Sequence, residues 1–358
     1  MQTHEVDIES IAFGGEGVAR IDGKVCFIPF TAPGDRCLIR VIEDKKQFSR
    51  AVCDDILTPS PNRITPKCSV FGKCGGCQYQ HLAYSDELKL KENQILETFE
   101  RVGRLVLTDV TIHPILRCPE PYSYRNRIQI HIKNGLPGFR SAQSSSHIAI
   151  DECPVAAPEI NRQIRELKEK QGLKDGRHSI QCNSTSGKGF SQINRLMLKT
   201  LIDHITKAAQ PGGSQLIELY AGSGFFTVPL ASLFSSIIAV EWDSRLVDRG
   251  RKNSPSNVRW LNISTEDAFR TIESSVANRK DLVIAIDPPR QGVSSQVITD
   301  LKNSSARKLI YLSCNPTTLA RDLSRLRPNW QLQTITPIDL FPRTSHIECL
   351  VTCIRPRS

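Results

Sequence analysis

Two side chains in the last quarter of the chain have the types and the setting for group-transfer chemistry. Cys314 lies in Tyr311-Leu312-Ser313-Cys314-Asn315-Pro316, and Asp287 opens Asp287-Pro288-Pro289-Arg290. Each follows an apolar segment, 308–313 and 282–286, that reads as a buried strand. In nucleotide-type α/β sheets ligands bind at the carboxyl ends of the strands, so a thiol and a carboxylate placed there face a ligand. Asn315-Pro316 ends the strand and 317–322 opens a helix. A helix amino terminus favours thiolate over thiol, and Arg290 or Arg321 adds positive charge, so the pattern predicts a nucleophilic Cys314 rather than an inert packed one.

A thiolate has a definite use in methyl transfer. Carbon 5 of uracil is a poor nucleophile until carbon 6 is attacked. Thiolate addition at carbon 6 builds an enolate whose carbon 5 accepts a methyl group; a base then removes the carbon 5 proton, and elimination frees the enzyme. Glu348, at the head of a strand-like segment 347–354, is the preferred base, with His346 as competitor.

A cofactor site precedes these residues. Strand 215–220 passes through Tyr220 into Ala221-Gly222-Ser223-Gly224, a glycine turn that lets a ligand approach a helix amino terminus. The third glycine of the dinucleotide fingerprint is missing, but Glu241 ends the next strand, 236–241, where an acid accepts both hydrogen bonds of a ribose diol. NAD and S-adenosylmethionine both satisfy this pattern. Nothing later in the chain reads as hydride-transfer machinery, and Asp287-Pro288-Pro289 resembles the acid-Pro-Pro signature of methyltransferases, its prolines stiffening the loop that carries the acid.

Cysteines form a second constellation. Cys68, Cys74 and Cys77 are spaced x5 and x2 with Gly72, Gly75 and Gly76 among them, and Cys153 of Asp151-Glu152-Cys153-Pro154 is the candidate fourth ligand. Four thiolates suit an iron–sulfur centre or structural zinc, and spacing does not choose between them. Cys26, Cys37, Cys53, Cys118, Cys182, Cys349 and Cys353 lie in strand-like contexts and read as packing residues.

The elements that must position these groups fall into three regions. Residues 1–57 are short strands with turn signals, Gly14-Gly15-Glu16-Gly17 and Asp22-Gly23 among them, and predict a small β-barrel. Residues 58–188 have mixed α+β character: a helix over 82–102 that packs on the catalytic domain, an alternating strand over 124–132 and an amphipathic helix over 160–170. From 189 to 358 strands at 215–220, 236–241, 258–263, 282–286 and 308–313 alternate with helical stretches, and a closing pair, 331–336 and 347–354, has little helix between its members. That is a doubly wound, Rossmann-like sheet with an antiparallel edge.

Composition narrows the partners. A net charge of +10 and a pI near 9.1 favour a polyanion, nucleic acid ahead of an anionic membrane surface. The first ten residues lack a secretory pattern and no stretch is long and apolar enough for a bilayer, so the expected location is cytoplasmic, without membrane contact or an evident obligate protein partner. In that compartment the twelve cysteines do not read as a disulfide framework. Tyr122-Ser123-Tyr124-Arg125-Asn126-Arg127 offers aromatic faces for stacking and guanidinium groups for phosphates, or equally tyrosines packed under the cysteine-rich region.

These residues resemble a known family over essentially the whole chain: the RNA uracil-5 methyltransferases, and within them the bacterial members with an amino-terminal TRAM domain and an iron–sulfur cluster. The matching runs are Phe190-Ser191-Gln192, 216–224, Val240-Glu241, Ile286 to Arg290, Ser313 to Asp322 and His346-Ile347-Glu348. The resemblance implies S-adenosylmethionine contacts from Gln192, Tyr220, Glu241 and Asp287, with Cys314 as nucleophile and Glu348 as base. It also implies a [4Fe-4S] cluster on Cys68, Cys74, Cys77 and Cys153, for which a structural or RNA-positioning role is expected. Glu218 stands where the family usually has Asp, Ala221 where it often has Cys, and Phe225 lacks a polar contact that some members make. The implied substrate is 23S ribosomal RNA, with the tRNA T-loop as runner-up. A non-catalytic RNA-binding or ribosome-assembly factor is the alternative of a different class, opposed by the intact Cys314, Asp287 and Glu348. An amine methyltransferase is disfavoured because it needs no thiolate.

Overall fold

The computed structural model describes residues 2–142, 144–170, 173–182, 193–272 and 281–356. The chain divides into two compact units. The first comprises Met1–Gln94, Cys118–Ser186 and Phe341–His346, and the second Ile95–Arg117, Gly187–Leu340 and Ile347–Ser358.

In the first unit, β1 (Thr3–Asp7), β2 (Ser10–Ile11), β3 (Glu16–Ile21), β4 (Lys24–Pro29), β5 (Arg36–Asp44) and β6 (Phe48–Thr58) form a six-stranded sheet in the order β1-β5-β6-β4-β3-β2. Irregularities between β5 and β6, at Leu38/Ile39 and Val41/Glu43, add twist that helps the sheet wrap. Its core is the inward set Val6, Ile8, Ala19, Ile28, Ile39 and Ala51, so the alternation in the sequence becomes a small β-barrel.

Helix α1 (Tyr84–Arg101) starts in this unit and ends in the second. After the short β7 (Thr111–Ile112), β8 (Arg127–Lys133), β9 (Leu136–Arg140), β10 (His147–Ala149), α2 (Pro158–Glu169) and β11 (Gly176–Gln181) build a four-stranded antiparallel sheet, β10-β9-β8-β11, covered by α2. Ile128, Ile130 and Ile132 alternate inward on β8 against Ile160 and Ile164 of α2. A buried charge cluster ties Phe341–His346 into this unit. Glu87 accepts from Lys91 Nζ at 2.8 Å, from the Arg343 backbone N–H at 2.7 Å and from Arg343 Nη1 at 3.2 Å. Buried charges persist only when paired and hydrogen-bonded in this way.

The second unit runs α3 (Leu198–Ala209), β12 (Gly213–Leu219), α4 (Thr227–Leu230), β13 (Phe234–Glu241), α5 (Ser244–Asn253), β14 (Val258–Asn262), α6 (Thr265–Ile272), β15 (Leu282–Ile286), α7 (Ser295–Asn303), β16 (Lys308–Ser313), α8 (Pro316–Leu326), β17 (Gln331–Ile338) and β18 (Glu348–Ile354). Its eight strands are ordered β14-β13-β12-β15-β16-β18-β17-β7. The five from β14 to β16 are parallel, and Leu282–Ile286 is buried at every position, which is why these strands read as unbroken apolar runs. Strand β18 inserts antiparallel between β16 and β17. Strand order reverses between β12 and β15, and that switch point opens a crevice at their carboxyl ends. No helix among the described residues is long and apolar enough to cross a membrane.

Candidate active site

The crevice receives its groups from five strand ends of the second unit. At β12 the chain turns through Tyr220, whose φ of 61° is left-handed, and through Gly222 at 58° and Gly224 at 92°. A non-glycine residue at positive φ is a strained position held by its surroundings, typical of ligand sites. Glu241 ends β13 beside this turn, its Oε2 accepting the Gly222 N–H at 3.0 Å and its Oε1 the Asp243 N–H at 2.9 Å. The buried carboxylate is thereby fixed, and its remaining lone pairs can accept a diol.

Asp287 ends β15 and Cys314 ends β16. Their loops are laced together: Asn315 Nδ2 and Thr318 Oγ1 donate to the Arg290 carbonyl at 3.1 and 3.2 Å, and Arg321 Nη2 donates to the Gln291 carbonyl at 2.7 Å. Asn315 also caps α8, accepting the Thr317 N–H at 3.1 Å. Asp322, fully buried, accepts the Val293 N–H at 3.0 Å and the Tyr311 hydroxyl at 2.9 Å, and pairs with Arg321. Gly292, at φ 76°, lets the chain pass this carboxylate; a Cβ there would lie 2.3 Å from Asp322 Oδ2.

Glu348 begins β18, and the register Ser313↔Cys349 sets it beside the position after Ser313. The Cys314 thiol accordingly feels the Glu348 and Asp287 carboxylates as well as the Arg290 guanidinium. Burial, with the two carboxylates adding to it and Arg290 opposing, pushes this thiol up to about 11. That corrects the sequence expectation of a lowered thiol pKa. Desolvation and two neighbouring acids outweigh the cation at the strand end, and Arg321 is committed to Asp322 and the Gln291 carbonyl. Burial also pushes the Asp287 carboxyl up to about 7 and raises Glu348 well above the usual range, Asp287 adding to the latter and Arg290 opposing it.

The structure thus brings together Cys314, Asp287 and Glu348 on one side of the crevice and Tyr220 with Glu241 on the other. Gln192 lies outside the described residues. Two acids of this unit carried no predicted role. Asp322 is the anchor of the Cys314 and Asp287 loops. Glu218 is buried on β12 with Oε2 lacking a hydrogen-bond partner among the described residues, and burial, with Asp287 adding to it, pushes its carboxyl up to about 8. The signal for Glu218 was an acid inside the apolar run Leu216-Ile217-Glu218-Leu219; Asp322 had no such signal, being one of several polar residues on α8.

The cysteines lie in the first unit. The loop bearing Cys74 pairs with residues 140–142, the Gly75 N–H donating to the Arg140 carbonyl at 3.2 Å and the Ala142 N–H to the Lys73 carbonyl at 2.8 Å. Cys153 is pinned by Asn161, which accepts its N–H at 2.8 Å and donates to its carbonyl at 3.1 Å. Among the described residues no three His, Cys, Asp or Glu side chains meet as a metal-ligand group. The four thiols do share a neighbourhood: Cys74 and Cys153 each feel Cys68, Cys77 feels Cys74 and Cys153, and Arg125 feels Cys77 and Cys153. Backbone N–H groups also point at sulfur, from Gly76 to Cys74 Sγ at 3.4 Å and from Val155 and Ala156 to Cys153. The donor set and its N–H environment suit a thiolate-ligated centre. Tyr124 is fully buried, its hydroxyl donating to the Pro342 carbonyl at 2.8 Å, so of the two uses weighed for that tyrosine the structure selects packing.

Comparison with known proteins agrees with this geometry. Residues 181–355 match the family described as tRNA (uracil-5-)-methyltransferase, and residues 1–53 match the TRAM domain. An RNA methyltransferase of Bdellovibrio bacteriovorus is 33% identical over 97% of this chain and 93% of its own length. One from Halalkalibacterium halodurans is 28% identical over 96% and 95%. Among solved structures, the Pyrococcus abyssi tRNA (uracil-54, C5)-methyltransferase in complex with S-adenosyl-L-homocysteine superimposes with a TM-score of 0.71 at 20% identity, covering 98% of this chain and 99% of that one, a likeness of fold.

Proposed function

The chain belongs to the S-adenosylmethionine-dependent RNA uracil-5 methyltransferases, and from that premise we propose that it methylates carbon 5 of a uridine in 23S ribosomal RNA through a covalent bond between Cys314 and carbon 6. The observation that carries this reading is the meeting of Cys314, Glu348 and Asp287 at the ends of β16, β18 and β15. Amine methylation would need no thiol there.

Glu241 holds the ribose of the cofactor, with Tyr220 and, by resemblance, Gln192 beside it. Asp287 positions cofactor and acceptor base rather than acting as the partner base of Cys314. Bound in the crevice, S-adenosylmethionine supplies an electrophilic methyl group and a positive sulfonium. Arg290 lowers the thiol pKa, and a second positive charge acts in the same direction. Cys314 Sγ then adds to carbon 6, the electron pair moving to the carbon 4 carbonyl as an enolate. Carbon 5 takes the methyl group. Glu348, whose burial makes it a stronger base than an exposed carboxylate, removes the carbon 5 proton as the bond from Sγ to carbon 6 breaks. The target base must leave its stack to reach this point, at a cost of about a few kcal/mol, offset by RNA contacts from the TRAM domain and the basic central region.

Three domains accompany this reading: a TRAM barrel over 1–57, a central domain over 58–188 and the catalytic domain over 189–358. Cys68, Cys74, Cys77 and Cys153 would hold a [4Fe-4S] cluster, whose thiolate ligation would fix the cysteine loop near the RNA-facing surface. The tRNA T-loop uridine is the second reading, supported by the activity printed for the Pyrococcus abyssi protein. Mapping 5-methyluridine in RNA from cells lacking the protein tests the choice. Loss of a 23S site with tRNA unchanged is expected; loss confined to tRNA would replace the first reading with the second.

A further inference from the structure

Away from the crevice, the second unit contains a pocket of about 450 Å³ beside the amino-terminal end of β16, bounded by α3, β17, β18 and residues 113–116. Cys314 lies at the other end of the same strand. Two lysines, Lys207 and Lys308, and two histidines, His113 and His204, line the pocket, with no carboxylate among its described lining residues.

The cations are held in place. Lys308 Nζ donates to the Ala208 carbonyl at 3.0 Å and the Gln210 carbonyl at 2.6 Å, which fixes the ammonium at the end of α3 and leaves one of its three N–H bonds for a ligand. Burial, with Arg307 adding to it, holds the Lys308 pKa below its usual value, so a bound anion would relieve an existing strain on its charge. His204 Nδ1 lies 2.8 Å from the Thr200 carbonyl, which can only accept; the ring therefore donates there and presents Nε2 on its other side. The Thr334 and Thr352 hydroxyls bond each other at 2.7 Å on the same wall, and Thr336 adds a third hydroxyl. Leu116 and Leu350 supply an apolar side.

We propose that this pocket is a phosphate-binding site separate from the catalytic crevice, taking the phosphate of a nucleotide on Lys207, Lys308 and the histidines while the nucleoside lies against the apolar wall. Positive charge, hydroxyl donors and an apolar wall at this volume suit a nucleotide better than a bare ion. The same chemistry is available from one nucleotide of an RNA strand or from a free nucleoside phosphate.

Two measurements on the full chain decide the proposal, and neither depends on uridine methylation. Titration with adenosine monophosphate and with uridine monophosphate, followed by chemical shifts of the pocket histidines, is expected to show saturable binding. Lys207→Glu, an exposed substitution, and independently His113→Glu are each expected to weaken it about tenfold, the loss of one charged contact. Absence of saturable shifts in a folded wild-type protein overturns the proposal, as does equal affinity in both variants. The second measurement is RNA affinity against salt concentration. A Lys207→Glu slope smaller by about 1 identifies an RNA phosphate as the source, whereas an unchanged slope alongside weakened nucleotide binding identifies a free nucleoside phosphate.

Discussion

At the residue scale, the chemistry rests on three ionisable groups whose environments oppose their charged forms. Cys314 is pushed up to about 11, so the cofactor-free protein at neutral pH carries a thiol, and attack waits for added positive charge. Glu348→Gln is expected to lower turnover about 10²- to 10⁴-fold, the range for losing a general base. Because methyl transfer precedes proton removal, this variant should accumulate a covalent RNA adduct on ordinary uridine RNA, visible as a slow-migrating band. A variant that turns over normally would return the base role to another residue. Glu218 gives a second test. Its carboxyl rises from 4.5 to about 8 on folding, so the native state keeps a proton that the unfolded chain has released. Its contribution to stability is full below about pH 4.5 and falls away as pH rises towards 8. Melting temperatures across that window should decline more steeply for wild type than for Glu218→Gln; equal slopes would mean the buried acid is ionised throughout.

At the element scale, the site depends on how α8 starts and on the close approach at Gly292. Asn315→Ala removes the cap of α8, worth about 1 kcal/mol, and the tie to the Arg290 carbonyl. Single-turnover methylation should slow about tenfold through lost alignment, with S-adenosylmethionine affinity unchanged; an unaltered rate would show the tie to be dispensable. Gly292→Ala places a Cβ 2.3 Å from Asp322 Oδ2 at a left-handed position and should cost about 1–3 kcal/mol in denaturant unfolding. The sequence made the parallel strands legible, because burial on both faces writes itself as uninterrupted Leu, Ile and Val. It also marked Cys314, Asp287 and Glu348, each standing where such a run begins or ends. What it could not convey was non-local. The direction of the Cys314 pKa depends on β18 inserting beside β16, and the burial of Tyr124 depends on Pro342, far away in the chain. Glu87 and Lys91 looked like one side of an ordinary surface helix until Arg343 joined them in the core.

At the scale of the whole molecule, the net charge of +10 and the TRAM domain point to binding dominated by RNA phosphates. Affinity for an RNA substrate should fall roughly a thousandfold between 50 and 200 mM salt if about six phosphates are contacted; a flat salt dependence would contradict this. If the four cysteines hold a cluster, Cys77→Ser should weaken RNA affinity or thermal stability along with methylation. Lost methylation with fold and RNA affinity intact would assign the cluster a direct part in the reaction. The central claim, a covalent bond from Cys314 to uracil, is tested most directly with RNA carrying 5-fluorouridine at the target, which has no carbon 5 proton to release. Incubated with this RNA and S-adenosylmethionine, the wild-type protein should form a stable adduct whose mass includes the methyl group, and Cys314→Ala should form none. A wild-type protein that methylates ordinary target RNA yet gives no adduct, or a Cys314→Ala variant that still forms one, would contradict the mechanism.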